Sequence, residues 1–128
     1  MYQKLIIIGN LGRDPEMRYT ADGKAVTSLI VATSRKYGDK DETTWFRIST
    51  WGKTAEACNQ YLTKGSKVLV EGHLRPDPKT GSPAVYEKKD GGWGASYEVI
   101  AENVRFLSKT EQAEDGADPD VDVEDIPF

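Results

Sequence analysis

The sequence predicts an all-β fold: a five-stranded antiparallel barrel, one short helix between the third and fourth strands, and a disordered acidic C-terminal tail. Three observations carry this. Five segments rich in β-branched residues are separated by turn signals. One stretch alone switches to helix-forming residues with helical spacing. After residue 108 apolar residues become sparse and carboxylates dominate.

The elements follow in order. Residues 4–8, Lys-Leu-Ile-Ile-Ile, run into Gly9-Asn10 and read as a buried strand ended by a turn. Asp14-Pro15 and Asp22-Gly23 mark two more turns. Residues 25–34 (AVTSLIVATS) are the second strand, and residues 37–42 read as a polar, charged loop. Residues 43–51 are the third strand, closed by Gly52. Residues 54–62 read as a helix with apolar positions at 55, 58, 61 and 62, stopped by Lys64-Gly65. Residues 67–74 are the fourth strand, ended by Pro76 and Pro78. Residues 76–94 are a long, protruding, Gly/Pro-rich loop with room for a hairpin around Val85-Tyr86. Residues 97–107 are the fifth strand. Three strands, a helix and two strands are the arrangement of the OB-fold, which hides most sheet edges in about 100 residues. The expected organisation is a barrel domain at 1–108 and a tail at 109–128.

The net charge of −4 conceals two opposed parts. Residues 1–108 hold 16 Lys/Arg against 13 Asp/Glu, so the body is about +3. The tail holds eight carboxylates and one Lys109, about −7. An acidic whole therefore does not exclude an anionic ligand for the body. The single Cys58 rules out an internal disulfide framework and fits a reducing compartment. The longest apolar runs are far too short for a membrane span, and the first residues lack the layout of a signal or transit peptide.

The third strand carries the clearest chemistry. Alternation puts Trp45, Arg47, Ser49 and Trp51 on one face and Phe46, Ile48 and Thr50 on the other. The second set suits a core. The first suits a surface on which flat ligands with an anionic backbone stack. A base stacked on an aromatic ring is worth roughly 1–3 kcal/mol. Arg47 can pair with a phosphate or stack as a planar cation. At about 3.3 Å per residue the two indoles stand about 20 Å apart, a line that a single strand of nucleic acid can follow. The other reading of this strand is a Trp plugging a barrel end and a Trp filling an interface. Further aromatics lie among cations: Tyr37 beside Arg35 and Lys36, and Tyr86, Trp93 and Tyr97 near Lys88 and Lys89.

Candidates for catalysis fail. His73 is the only histidine and lies in a strand, where it reads as structural or interfacial. Cys58 falls on the apolar side of the helix. No metal-ligand spacing appears, and Gly9-Asn10-Leu11-Gly12 lacks the Gly-Lys-Ser/Thr ending of a phosphate loop. No cofactor or enzymatic activity is expected. The chain ends in acids followed by Ile126-Pro127-Phe128, the makings of a peptide that docks into a basic, apolar pocket of another protein.

The chain resembles bacterial single-stranded DNA-binding protein over nearly its whole length. The resemblance is carried by Ile8-Gly9-Asn10-Leu11-Gly12-Arg13-Asp14-Pro15-Glu16 with Arg18-Tyr19, by Ala32-Thr33-Ser34, by Trp45-Phe46-Arg47 and Trp51-Gly52-Lys53. Residues 61–68 and 70–75 and the end Glu124-Asp125-Ile126-Pro127-Phe128 complete it. It implies a homotetramer of OB-folds that binds and protects single-stranded DNA in replication, recombination and repair, in the bacterial cytoplasm with the nucleoid. It also implies stacking on Tyr37, Trp45 and Trp51, and on a fourth aromatic, Tyr86 or alternatively Trp93. Arg35, Arg47, Lys53, Arg75 and Lys88 are the cations expected on that surface. Partner proteins would dock on Asp122, Glu124, Asp125, Ile126, Pro127 and Phe128. Phe46 stands where many relatives have a His at a subunit contact, and the linker before the tip is short.

Overall fold

The computed structural model describes residues 1–107. The expected boundary at 108, the tail at 109–128 and its docking tip lie outside them. The described chain forms β1 (Leu5–Leu11), β2 (Glu16–Tyr19), β3 (Ala25–Tyr37), β4 (Lys40–Trp51), α1 (Gly52–Tyr61), β5 (Lys67–Leu74), β6 (Val85–Glu87), β7 (Trp93–Ala95) and β8 (Tyr97–Phe106).

The five expected strands correspond to β1, β3, β4, β5 and β8, and they close into the expected barrel. The sheet runs β1-β5-β8-β4-β3, and β1 pairs again with β3 at Asn10↔Ala32 and Leu11↔Val31. Every pair is antiparallel except β4–β8, which is parallel. The chain between β4 and β8 holds α1, β5 and the long loop, and a parallel neighbour requires such a crossover rather than a hairpin. The core holds Ile7, Leu11, Leu29, Val31, Ile48, Cys58, Leu62, Val68, Val70 and Val99.

A chain of two buried hydroxyls runs from β4 through β3 to α1, and the second ties the helix to the sheet. Thr50 donates to the Thr27 carbonyl (2.9 Å), and Thr27 donates to the Ala55 carbonyl (2.7 Å). Both threonines are fully buried, so these bonds satisfy groups that would otherwise cost stability. Ala55 and Cys58 face the core, and burial pushes the Cys58 thiol up to about 11, which makes it a poor nucleophile.

Four local readings change. β1 is half-buried rather than buried: Ile7 and Leu11 point inward, while Ile6 and Ile8 point out. A run of isoleucines hides that alternation because both faces are apolar. Residues 37–42 are not a loop. β3 and β4 continue to Tyr37↔Lys40 and leave a two-residue turn at Gly38-Asp39, where Gly38 takes φ 65°. The arms are held by Arg35–Glu42 (3.3 Å) and Lys36–Asp41 (3.5 Å) ion pairs. Both faces of this projecting hairpin meet water, so no alternation marks it. Tyr61, expected on the buried side of the helix, is exposed beside Phe106 with ring centroids 6.4 Å apart. A short strand unread in the sequence, β2, adds to the outer edge of β3.

Candidate functional site

β4 turns one row of side chains outward and the other into the barrel. Trp45 (52 % exposed), Arg47 and Trp51 (42 % exposed) stand on the outward face. Ile48 and Thr50 are fully buried opposite them, and Phe46 packs against the edge of the core. Ser49 belongs to the outward row but is covered. Residues directly opposed on neighbouring strands share a face, so β3 floors this surface with Ala32 under Trp45, Ile30 beside Arg47 and Val26 beside Trp51. A sheet surface of small and aliphatic residues carries two indoles with one guanidinium between them.

Trp45 has a specific seat. Its six-membered ring lies against the backbone of Gly12: a Cβ at that position would stand 2.5 Å from Cζ3 and 2.9 Å from Cη2. The Gly12 N–H donates to the Ile30 carbonyl (2.8 Å), which ties the seat to the floor strand. Gly12 is therefore part of the site, although in the sequence it figures only in a segment that is no phosphate loop and in the motif that carries the family resemblance.

The long loop forms the expected hairpin. β6 and β7 pair as Val85↔Ala95, Tyr86↔Gly94 and Glu87↔Trp93, which puts Tyr86 and Trp93 on opposite faces. The Tyr86 ring lies over Gly94, with the Lys88 side chain beside it. A groove of about 710 Å³ opens between this hairpin and β4, lined by Trp45, Arg47, Tyr86 and Tyr97 among others. Tyr86, not Trp93, shares that groove with Trp45. Tyr97 is half-exposed and tilts against Phe46 at 5.8 Å between ring centroids. Its signal in the sequence is the one noted for the loop aromatics, a ring near Lys88 and Lys89, here at the start of the fifth strand.

Apart from Lys88, the expected cations divide into three places. Arg47 and Arg75 lie in one cross-strand row: Arg47 is opposite Glu98, and the Arg75 N–H donates to the Glu98 carbonyl (2.8 Å). Neither guanidinium forms an ion pair among the described residues. Lys53 is exposed in the first turn of α1, two residues beyond Trp51. Arg35 and Tyr37 sit together at the end of the β3–β4 hairpin, the guanidinium 5.9 Å from the ring centroid. Their register with Glu42 and Lys40 puts them on the opposite face of the hairpin from Trp45. The structure thus joins Trp45, Arg47, Tyr86 and Tyr97 around one groove, with Arg75 in the cross-strand row of Arg47 and Lys88 beside Tyr86. Trp51 and Lys53 lie farther along the chain, at the end of β4 and the start of α1, and Tyr37, Arg35 and Trp93 stand apart.

His73 is engaged elsewhere. Its Nδ1 meets the Glu102 carboxylate (2.8 Å), whose other oxygen accepts from Lys4 (3.1 Å). No cluster of three or more metal-ligating side chains occurs among the described residues.

Residues 2–107 match the single-strand binding protein family. Single-stranded DNA-binding protein 1 of Chlorobaculum tepidum is 34 % identical over 156 aligned residues, spanning 98 % of this chain and 96 % of that protein. The single-stranded DNA-binding protein of Neisseria meningitidis serogroup A is 36 % identical over 119 residues, spanning 89 % of this chain and 64 % of that protein. Its serogroup B counterpart is similar to the same extent.

Proposed function

The chain belongs to the single-strand binding protein family, and from that premise we propose that it binds single-stranded DNA without regard to sequence and without catalysis. The observation that carries the reading is the outward face of β4: two half-exposed indoles flank a guanidinium that has no ion-pair partner among the described residues. Every base offers a π-face, so rings on a sheet bind any sequence, while free cations meet the phosphates. A duplex hides its base faces and gains nothing from such a surface. Tyr86 lines the same groove as Trp45, and Tyr37 and Trp93 would meet the strand outside that groove.

Assembly into a homotetramer is part of the same reading. Among the described residues β1 pairs with β3 only at Asn10 and Leu11, so residues 5–8 have a backbone edge with no partner there, beside outward Ile6 and Ile8. A free edge with aliphatic side chains is what a second copy of the strand covers. The acidic end, Asp122, Glu124, Asp125, Ile126, Pro127 and Phe128, recruits replication, recombination and repair proteins by docking in basic, apolar pockets. The setting is the bacterial cytoplasm.

Titration with oligo-dT, read by Trp fluorescence, tests the reading. Strong quenching at low salt that weakens as salt rises is expected. A tetrameric protein that shows no quenching at low salt sinks it. The same titration without residues 109–128 tests the tail: eight carboxylates beside a basic body compete with DNA, so deletion raises affinity at low ionic strength.

A further inference from the structure

β2 extends the outward face of β4 past Trp51. Its register with β3 is Glu16↔Ser28, Met17↔Thr27, Arg18↔Val26 and Tyr19↔Ala25. β3 in turn pairs Val26 with Trp51 and Ser28 with Ser49. One row therefore crosses three strands as Arg18, Val26, Trp51, and the next as Glu16, Ser28, Ser49. Opposed residues share a face, so Arg18 stands on the side of the sheet that carries Trp51. Two strand spacings of about 4.8 Å separate their backbones. Val26 between them is buried (1 % exposed).

Arg18 is exposed and forms no ion pair among the described residues. Glu16 shares its face two residues away but does not pair with it. Met17 and Tyr19 turn to the other side of the strand. A planar cation whose backbone lies about 10 Å from that of an exposed indole can take the phosphate of a nucleotide whose base, or whose neighbour's base, stacks on that indole. We propose that β2 forms the continuation of the single-strand track: Arg18 takes a backbone phosphate beyond Trp51, and Glu16 sets the edge of the track by repelling it. The proposal rests on the reading of the β4 face as a stacking surface for single-stranded DNA.

The test uses the full chain and oligo-dT, with affinity followed across a salt series. Each phosphate contact on a single strand contributes about 0.7 to the slope of log affinity against log salt. Arg18→Ala is expected to reduce the steepness of the slope by about that amount, with an unchanged thermal midpoint. Arg18→Lys should restore the slope, because the charge is kept. Arg105, exposed on β8 and opposite Leu69 on β5, serves as the control; Arg105→Ala should leave the slope as it is. Glu16→Gln should raise affinity several-fold at low salt and less at high salt. Wild-type binding with an unchanged slope in Arg18→Ala overturns the proposal, as does an equal loss in Arg105→Ala. If Arg18→Ala lowers the thermal midpoint, Glu16→Gln decides, and unaltered affinity there overturns the proposal. Failure of the wild type to bind at all is a different result and sinks the functional reading itself.

Discussion

The outward face of β4 and the outward face around β1 are both exposed sheet surfaces, yet they are built from different chemistry. On β4 the large side chains are indoles, and Arg47 between them has no ion-pair partner among the described residues. Around β1 they are the aliphatic Ile6 and Ile8, and nearby Lys4 pairs with Glu102, whose other oxygen meets His73 Nδ1. Flat rings with an unpaired cation serve a charged ligand that comes and goes. Aliphatic side chains with a free strand edge and paired charges serve a permanent contact, because burying them leaves no charge unmet. On the proposed reading, one barrel separates the surface for nucleic acid from the surface for its own copies.

The sharpest way to break the comparison is to strip the first face. Trp45→Ala and Trp51→Ala should each weaken binding to oligo-dT by roughly 1–3 kcal/mol, and the oligomeric state should stay the same. Light scattering alongside the titration checks both. A loss of assembly in these variants would mean that the two faces are not independent. Ile6→Glu makes the opposite cut. A carboxylate on the β1 surface should split the assembly into smaller species at working concentrations, while each monomer keeps its fold and its Trp quenching by short oligo-dT. An unchanged oligomeric state in Ile6→Glu removes β1 from the interface.

These two faces were not equally legible in the sequence. Trp45, Arg47 and Trp51 announced themselves because period-two alternation separates them from Ile48 and Thr50, which are wholly apolar or hydrogen-bonded inside. Ile6 and Ile8 did not, because an isoleucine run looks the same whether one face is buried or two. The β3–β4 hairpin was lost to the charged residues 37–42, whose two faces are both wet. β2 was lost because four residues between turn signals are too few to show a period. Gly12 was visible only as a glycine. What requires it is the Trp45 ring, a contact between a loop and a strand 33 positions apart that no local pattern encodes.

Gly12 supplies a smaller and more pointed test of the first face. A methyl there would stand 2.5 Å from the Trp45 ring, so the indole must move or the loop must give. Gly12→Ala should weaken oligo-dT binding by a fraction of the Trp45→Ala loss and shift the Trp emission of the free protein. In a Trp45→Ala background the same substitution should have little further effect on affinity, since the ring it displaces is gone. Additive losses would show that Gly12 acts on the barrel rather than through Trp45.

The smallest expected effect belongs to the second face. Glu102 is the extra residue of a bulge on β8, where Glu71 pairs with Asn103 and Gly72 with Ala101. A bulge re-aims a side chain, and here the carboxylate meets His73 and Lys4 from two other segments. The hydrogen bond with His73, and then the one from Lys4, hold the Glu102 carboxyl below its usual range. A depressed carboxyl pKa stabilises the fold above the ordinary carboxylate value, and the contribution is lost as pH falls through the lowered one. Lys4 is raised, chiefly by its hydrogen bond to Glu102, so its share is present below the ordinary lysine value and fades as pH rises through the raised one. Glu102→Gln should therefore lower the thermal midpoint slightly near neutral pH and match the wild type in strong acid. All three groups are partly exposed, so added salt should shrink the difference. Oligo-dT affinity should not change, since the cluster lies away from Trp45 and Trp51. A midpoint difference that persists unchanged in acid would mean that Glu102 acts through the geometry of its bulge and not through its charge.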